Sequence, residues 1–217
     1  DLDRAVEGAI ACKYRNSGQT CVCTNRIFVQ DSIHDVFVEK LVAATAELKM
    51  GNGLDEGVQQ GPLVNEKAVE DVDRLVRLST DAGAQVALGG ARSDLGPCYY
   101  QPTVLTGVTS DMAVFRNEIF GPVAPVMSFA DEAEAIALAN DTEFGLASYF
   151  YTRDIGRVWR VSEALDYGMV GVNEGIISNE MAPFGGVKAS GSGREGSKYG
   201  IDDYLEIKYI LMGGLDR

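Results

Sequence analysis

Apolar residues recur at helical or strand spacing along most of the chain, and their pattern predicts an alternation of helices and strands. The helical spacing predicts helices over residues 2–14, 32–48 with Ser32 as N-cap, 66–82, 131–140 and 154–164 with Asp154 as N-cap. Runs with β-branched and aromatic content predict strands over residues 25–30, 85–88, 103–105, 123–129, 148–151 and 169–172. This order predicts an α/β domain with a mostly parallel, buried sheet.

Two segments depart from this alternation. Residues 173–199 are rich in Gly and Ser and too long for a neutral connection, so we expect a loop that forms part of a site. Residues 203–212 (DYLEIKYILM) alternate polar and apolar side chains as a strand does. A strand at a terminus often pairs with another element or another chain.

Composition narrows the class of protein. Hydrophobic residues make up 46% of the 217 residues and charged residues 24%, as is ordinary for a soluble globular protein. The 32 acidic against 19 basic residues, a net charge of −13, disfavour a nucleic-acid partner. No apolar run approaches the ~18 residues of a membrane span. Four cysteines in so long a chain do not make a disulfide scaffold, so we expect a reducing, cytoplasmic location.

The stretch Asn16–Cys23 (NSGQTCVC) contains the clearest candidates for reactive side chains in the sequence. Its two cysteines, Cys21 and Cys23, lack the further Cys or His ligands that a zinc site needs, so no metal site is predicted. A bridge between residues i and i+2 would be strained and therefore labile. The turn ahead of Cys21 offers backbone N–H groups that favour a thiolate, so a nucleophile and a buried inert thiol both remain open.

A second motif, Gly191-Ser-Gly193-Arg-Glu-Gly196, has the G-x-G-x-x-G spacing of a dinucleotide fingerprint. That fingerprint needs a strand before it, a helix opening at it, and an acidic residue after the next strand. Here a glycine-rich loop precedes it and the chain ends about twenty residues later. We therefore interpret these glycines as loop geometry. His34, the one histidine, is interpreted as a solvated helix residue.

Three groups of residues, in the same order along the chain, resemble the aldehyde dehydrogenase superfamily. They are Gly18-Gln-Thr-Cys21, Glu118-Ile-Phe-Gly-Pro122, and Pro183-Phe-Gly-Gly186 followed by Lys188-Ala-Ser-Gly191. Asn140–Leu146 also resembles the family. Arg15, Cys23 and residues 171–180 (GVNEGIISNE) resemble one branch, the succinate-semialdehyde dehydrogenases.

The resemblance implies a three-layer catalytic domain over residues 1–200 and a bridging, oligomerisation strand over residues 201–217. It also implies that the dinucleotide-binding domain, the general-base Glu and the oxyanion-hole Asn lie outside this chain, which would then be a fragment. The complete protein would be a homo-oligomer, a dimer or a tetramer.

The resemblance further implies a role for each site residue. Cys21 would be the nucleophile, with Cys23 as its redox partner. Arg15, Ser178 and Phe184 would bind the substrate. The open alternatives are that Arg15 is a plain cation at the end of a helix and that Phe184 is a packed loop aromatic. Glu118 and Phe120 would contact NAD or NADP, while Ile119 between them points into the core; a surface Glu beside a core Phe is the commoner arrangement.

Three functions remain open from the sequence. The branch resemblance favours oxidation of succinic semialdehyde, a small-molecule aldehyde, to succinate. A related enzyme, for example one acting on glutarate semialdehyde, has the same motifs. A non-catalytic α/β binding domain would explain the fold but not three ordered motifs.

Overall fold

The computed structural model describes residues 1–216. The helices are α1 Leu2–Lys13, α2 His34–Ala46, α3 Glu66–Asp81, α4 Ala113–Arg116, α5 Glu132–Asn140 and α6 Ile155–Ala164. The strands are β1 Ile27–Gln30, β2 Gln85–Leu88, β3 Thr103–Thr106, β4 Val123–Phe129, β5 Phe144–Gly145, β6 Ala147–Phe150, β7 Met169–Val172 and β8 Val187–Lys188. Short 3₁₀ turns cover Arg15–Gly18, Asp31–Ile33 and Asp202–Tyr204.

A four-stranded sheet in the order β1-β4-β3-β2 forms the centre of the molecule. Strand β4 pairs in parallel with β1 and with β3, while β2 runs antiparallel at the edge. Strands β6 and β7 form a separate parallel pair, and β5 pairs with β8. The prediction of an α/β fold with a mostly parallel sheet is confirmed.

Two apolar layers cover the two faces of this sheet, as alternation along β4 requires. Val123 and Met127 belong to a cluster with helices α3 and α4, whereas Ala124 and Val126 belong to a cluster with α1 and α2. The order helix, sheet, helix therefore gives three layers. The first five residues of β4, 123–127, are all buried, which explains why they are all apolar.

Arg26, just before β1, ties the four-stranded sheet to the second half of the chain. Its guanidinium donates to the carbonyls of Leu138 and Ala139 at 3.0 and 2.8 Å, where helix α5 ends. It also donates to the Tyr167 hydroxyl at 3.0 Å and lies over the Phe115 ring. One side chain thus caps a helix and bridges two sheets.

Two predicted features are wrong. Ser32 does not cap a helix that starts beside it, because a 3₁₀ turn intervenes and α2 starts at His34 with no side-chain cap. The predicted strand over residues 203–212 is a 3₁₀ turn followed by exposed, irregular chain that pairs with nothing within residues 1–216. A strand needs a neighbour for its backbone hydrogen bonds, and the folded part of this chain supplies none there.

Candidate active site

The loop ahead of Cys21 is held in an unusual backbone conformation. Asn16, Ser17 and Gly18 all have positive φ, at 50°, 55° and 78°. The Gln19 side chain locks the loop, since it donates to Asn16 O at 3.1 Å and accepts from Val64 N at 2.8 Å. A side chain at position 18 would run into the backbone carbonyl of Gly121, so only glycine permits this close approach.

The loop leads into a tight turn that presents the two cysteines differently. Cys23 N donates to Thr20 O at 2.9 Å, which closes the turn and leaves Cys21 exposed at its tip. Cys23 is half-buried, and its Sγ contacts the Arg15 carbonyl at 3.6 Å. Both thiols are free, so the structure shows the reduced pair.

Contacts from two other elements brace this turn through Val22. The Cys12 thiol of α1 donates to Val22 O at 3.4 Å, and the Tyr149 hydroxyl of β6 donates to the same oxygen at 2.9 Å. The Thr24 hydroxyl donates to Cys12 Sγ at 3.0 Å. Cys21 therefore projects from a fixed base, as a preorganised nucleophile requires.

A cleft of about 790 Å³ runs between β1 and β6, and Cys21, Cys23, Glu118 and Phe120 all contribute to its lining. Ile119 lies between the last two, is 4% exposed and donates its backbone N–H to Asn25 Oδ1 at 2.9 Å. The predicted division, with Glu118 and Phe120 outward and Ile119 in the core, is confirmed. The cause is partly different, because Phe120 is left-handed (φ 51°) rather than extended.

Lys13, in the last turn of α1, is a residue of this cleft that the sequence interpretation missed. It is only 1% exposed, and burial lowers its pKa to about 8, opposed by the neighbouring Cys23, Cys12 and Glu118. A lysine near the end of a helix is normally an ordinary exposed cation. Its position seven residues after Val6 and four after Ala9, on the apolar stripe of α1, was the available signal.

The proposed substrate residues lie beside this cleft rather than in its lining. Arg15 Nη1 approaches Ser178 Oγ at 3.5 Å across 163 residues of sequence, and both side chains are exposed. Phe184 exchanges backbone hydrogen bonds with Glu195 at 2.9 and 2.7 Å. With Pro183 it lines a separate cavity of about 220 Å³. The structure therefore brings Arg15 and Ser178 together and places Phe184 in a separate cavity.

The Gly191–Gly196 motif lies in irregular chain, as expected. Its three glycines have positive φ of 126°, 78° and 65°, and no helix opens at the motif. Arg194 closes the loop by donating to the carbonyl of Gly186 at 2.8 Å. These glycines serve backbone geometry rather than a dinucleotide fold.

Comparison with known proteins decides the family. Residues 1–210 match the aldehyde dehydrogenase family. The chain belongs to this family. Every motif that resembled it in the sequence falls within the matched residues.

Individual members of the family are closely similar to this chain in sequence and in structure. Glutarate-semialdehyde dehydrogenase of Pseudomonas aeruginosa is 60% identical over 215 residues, 99% of this chain and 44% of the relative. 3-Sulfolactaldehyde dehydrogenase of Pseudomonas putida is 60% identical over 217 residues, 100% of this chain and 45% of the relative. The crystal structure of succinate-semialdehyde dehydrogenase from Burkholderia pseudomallei superposes with a TM-score of 0.95 at 61% identity, covering 97% of this chain and 44% of that one. The chain thus spans less than half the length of these relatives.

Proposed function

We propose that this chain is the nucleophile-bearing portion of an NAD(P)-dependent aldehyde dehydrogenase that oxidises succinic semialdehyde or a close homologue to the acid. The observation that carries the proposal is the exposed Cys21 at the tip of a braced turn, on the wall of a cleft shared with Glu118 and Phe120. Family membership favours this enzyme over a non-catalytic α/β binding domain.

Cys21 provides covalent catalysis in this proposal. Its thiolate attacks the aldehyde carbon and forms a thiohemiacetal, and its own backbone N–H would donate to the oxyanion. Sγ of Cys21 then carries the acyl group until water releases the acid. The contacts to Val22 from Cys12 and Tyr149 keep the sulfur in place through both steps.

The cleft residues fit a nicotinamide cofactor by the chemistry of their side chains. The Glu118 carboxylate is an acceptor suited to ribose hydroxyls, and the exposed Phe120 ring offers a flat apolar surface for a nicotinamide. NAD or NADP, when bound, supplies the acceptor for the hydride. Glu118 and Phe120 would hold and orient this group.

Arg15 and Ser178 are proposed to bind the end of the substrate opposite the aldehyde. A guanidinium can hold a carboxylate by two parallel hydrogen bonds, and a hydroxyl adds a third donor. The three relatives above are named for aldehydes that each carry a carboxylate or a sulfonate. These aldehydes share an anionic group at the end opposite the aldehyde. Arg15 therefore selects for this anion, and Phe184 selects for the shape of the substrate's carbon chain.

Cys23 is proposed as the redox partner of Cys21. The two thiols lie on one tight turn, and a bridge between them would remove the nucleophile reversibly. Such a bridge would be strained and readily reduced.

The proposed function is tested in a chimera that has the full length of the relatives. We would join this chain to the upstream portion of the Pseudomonas aeruginosa relative and follow NAD(P)H formation with succinic and glutarate semialdehydes. We expect turnover by the chimera, none by the 217-residue chain alone, and a loss of about 10³-fold or more for Cys21→Ser in the chimera.

Cys98→Ser is the matched control, because Cys98 is also a free thiol and does not line the cleft. It should retain the activity of the parent chimera. A Cys21→Ser chimera that still turns over at the parent rate would refute the assignment of the nucleophile.

A further inference from the structure

The cleft of about 790 Å³ extends beyond the residues around Cys21, because it continues along the whole of strands β1 and β6. All four residues of each strand contribute to its lining. Within residues 1–216, β1 pairs only with β4, and β6 pairs only with β7. Each of the two strands therefore turns an edge without a strand partner toward the part of the cleft that lies between them, the slot.

The two strands that border the slot run in the same direction. At their beginnings, Arg26 just before β1 donates to the hydroxyl of Tyr167, just before β7, at 3.0 Å. At their ends, Glu132 after β4 pairs with Arg157 after β6 at 2.8 Å. Because β1 is parallel to β4 and β6 is parallel to β7, these contacts align all four strands. A strand between β1 and β6 could therefore pair in parallel with both.

The backbone of β6 offers hydrogen-bonding groups to the slot. The carbonyls of Leu146 and Phe150 accept from backbone N–H groups of β7 and of the residue after it, at 3.0 and 2.9 Å. Backbone groups of successive residues in a strand point to opposite edges, so Ala147 and Tyr149 direct theirs away from β7 and into the slot. Such groups at the edge of a sheet are what a further strand binds.

Apolar side chains of two helices line the slot without being fully buried. Helix α1 contributes Leu2, Ala5 and Ala9, and helix α5 contributes Ile136 and Ala139. All five are only partly buried, and neither α5 (EAEAIALAN) nor β6 contains a single buried residue. Helices that cover a parallel sheet normally bury their apolar side chains against it. The slot is therefore an apolar surface that an added strand would bury.

The position of Asp1 indicates which segment fits the slot. Asp1 lines the cleft and accepts from Arg153 Nη2 at 2.8 Å, just after the chain leaves β6. Helix α1 therefore begins at the end of the slot toward which β1 and β6 run. A strand that ended at this point and continued into α1 would form a strand–helix–strand unit with α1 and β1. The two strands of such a unit are parallel and are usually neighbours in the sheet.

We propose that the slot is a strand-accepting site and that its occupant is the segment that precedes residue 1 in the full-length protein. This segment would lie parallel to β1 and β6 and join the two sheets in the order β7-β6-segment-β1-β4-β3-β2. It would be an extended, mainly apolar run of about five residues, because the helices on the slot are apolar and the bordering strands are short. The relatives above are more than twice as long as this chain, which leaves room for such a segment.

The slot and the candidate active site share one cleft but lie toward different ends of it. Asn25, just before β1, donates to Asn117 O and accepts from Ile119 N, both at 2.9 Å, which holds Glu118 beside the beginning of β1. The added strand would therefore begin near Glu118 and end at Asp1. The proposal concerns the sheet and does not depend on the proposed function.

The test measures binding of a labelled peptide to the 217-residue chain. The peptide has the sequence of about ten residues that precede the position of Asp1 in the Pseudomonas aeruginosa relative, which is enough for one strand. Fluorescence anisotropy measures its binding, and hydrogen exchange followed by mass spectrometry locates it. We expect saturable binding and slower exchange in β1 and β6. Strand β2, the other edge of the four-stranded sheet, is the internal control and should not change.

Two changes weaken the backbone hydrogen bonds that the proposal requires. The same peptide with N-methyl groups at alternate residues should bind about tenfold or more weakly, since it loses several donors. Ala147→Pro should weaken the unmodified peptide to a similar extent, because it removes an N–H that faces the slot and none that pairs with β7. If Ala147→Pro fails to fold by circular dichroism, the N-methylated peptide decides.

Absence of binding, protection of β2 instead of β1 and β6, or equal affinity of the N-methylated peptide would overturn the proposal. Equally tight binding of a peptide with residues 203–212 of this chain would overturn the choice of occupant. The chimera described above contains its own segment, so it should not bind the peptide, and binding as tight as that of the 217-residue chain would count against the proposal. No aldehyde enters these assays, so their failure is separate from failure of the proposed dehydrogenase activity.

Discussion

The Arg15 guanidinium contacts the Ser178 hydroxyl although 163 positions separate the two residues in the chain. The 3.5 Å contact between Arg15 and Ser178 is long for a hydrogen bond, and both side chains are exposed. Arg15 Nη1 donates to Ser178 Oγ, and so long and exposed a contact stabilises the fold very little. Under the proposed function, both side chains would instead donate to the anionic end of the substrate.

At this scale we predict the effect of Arg15→Ala in the chimera described above. A hydrogen bond to a charged group contributes ~1.5–3 kcal/mol, so kcat/KM for succinic semialdehyde should fall roughly 10- to 150-fold. Propanal, which has no anionic end, should lose little, and comparing both substrates in steady-state assays checks this. Equal losses for the two aldehydes would mean that Arg15 only supports the end of the loop.

At the scale of elements, the sheet and the second half of the chain are joined by few but specific contacts. Arg26 is the principal one, because it satisfies carbonyls at the end of α5 and a phenol beside β7 while stacking on Phe115. Burial lowers the pKa of this guanidinium, and these partners offset the cost of burying its charge.

We predict that Arg26→Met destabilises the chain by about 2–4 kcal/mol, since it leaves several partly buried acceptors without a donor. Urea unfolding followed by circular dichroism measures the loss. Arg153→Met is the control, because Arg153 makes one exposed ion pair with Asp1, and it should cost at most about 1 kcal/mol. Similar losses for both variants would contradict the proposed role of Arg26.

Particular residues show how far the sequence could predict this fold and site. Strand β4 and the cap Asp154 were predictable, because an apolar run and a cap depend on neighbours in the sequence. Cys21, Glu118 and Phe120 followed from motifs, and the structure places all three on one cleft. Arg26 was not recognised, since its partners lie in distant segments. Lys13 was missed although its place on the apolar stripe of α1 indicated burial. The prediction that Ser32 caps a helix was wrong because a local 3₁₀ turn replaces the expected helix start.

At the scale of the whole molecule, the segment after the last 3₁₀ turn is unusual. Ile207, Tyr209 and Leu211 are 101%, 82% and 81% exposed, and together with Leu205 they occupy alternate positions, which lie on one side of a chain that is extended as a strand. A row of exposed apolar side chains on unpaired backbone is a template for pairing with another strand. The predicted homo-oligomer would use this row.

We predict that the 217-residue chain self-associates through this row. Ile207→Lys with Leu211→Lys should shift the chain to monomer in sedimentation velocity, because the charges would have to be buried in the interface. Glu206→Gln with Asp202→Asn, which changes the net charge equally on exposed polar positions, should leave the association unchanged. A parent chain that is already monomeric at tens of micromolar would contradict the prediction.

The pairing of β1 with β4 also has a consequence for synthesis on the ribosome. Strand β1 ends at Gln30, and its partner β4 begins only at Val123, about ninety residues later. At about 5–20 residues per second, the nascent β1 waits several seconds or longer before its partner emerges. During that interval its apolar side chains and free backbone groups are exposed to other nascent chains. Ribosome-associated chaperones that shield β1 until β4 emerges should therefore raise the yield of folded protein more than those that act after release.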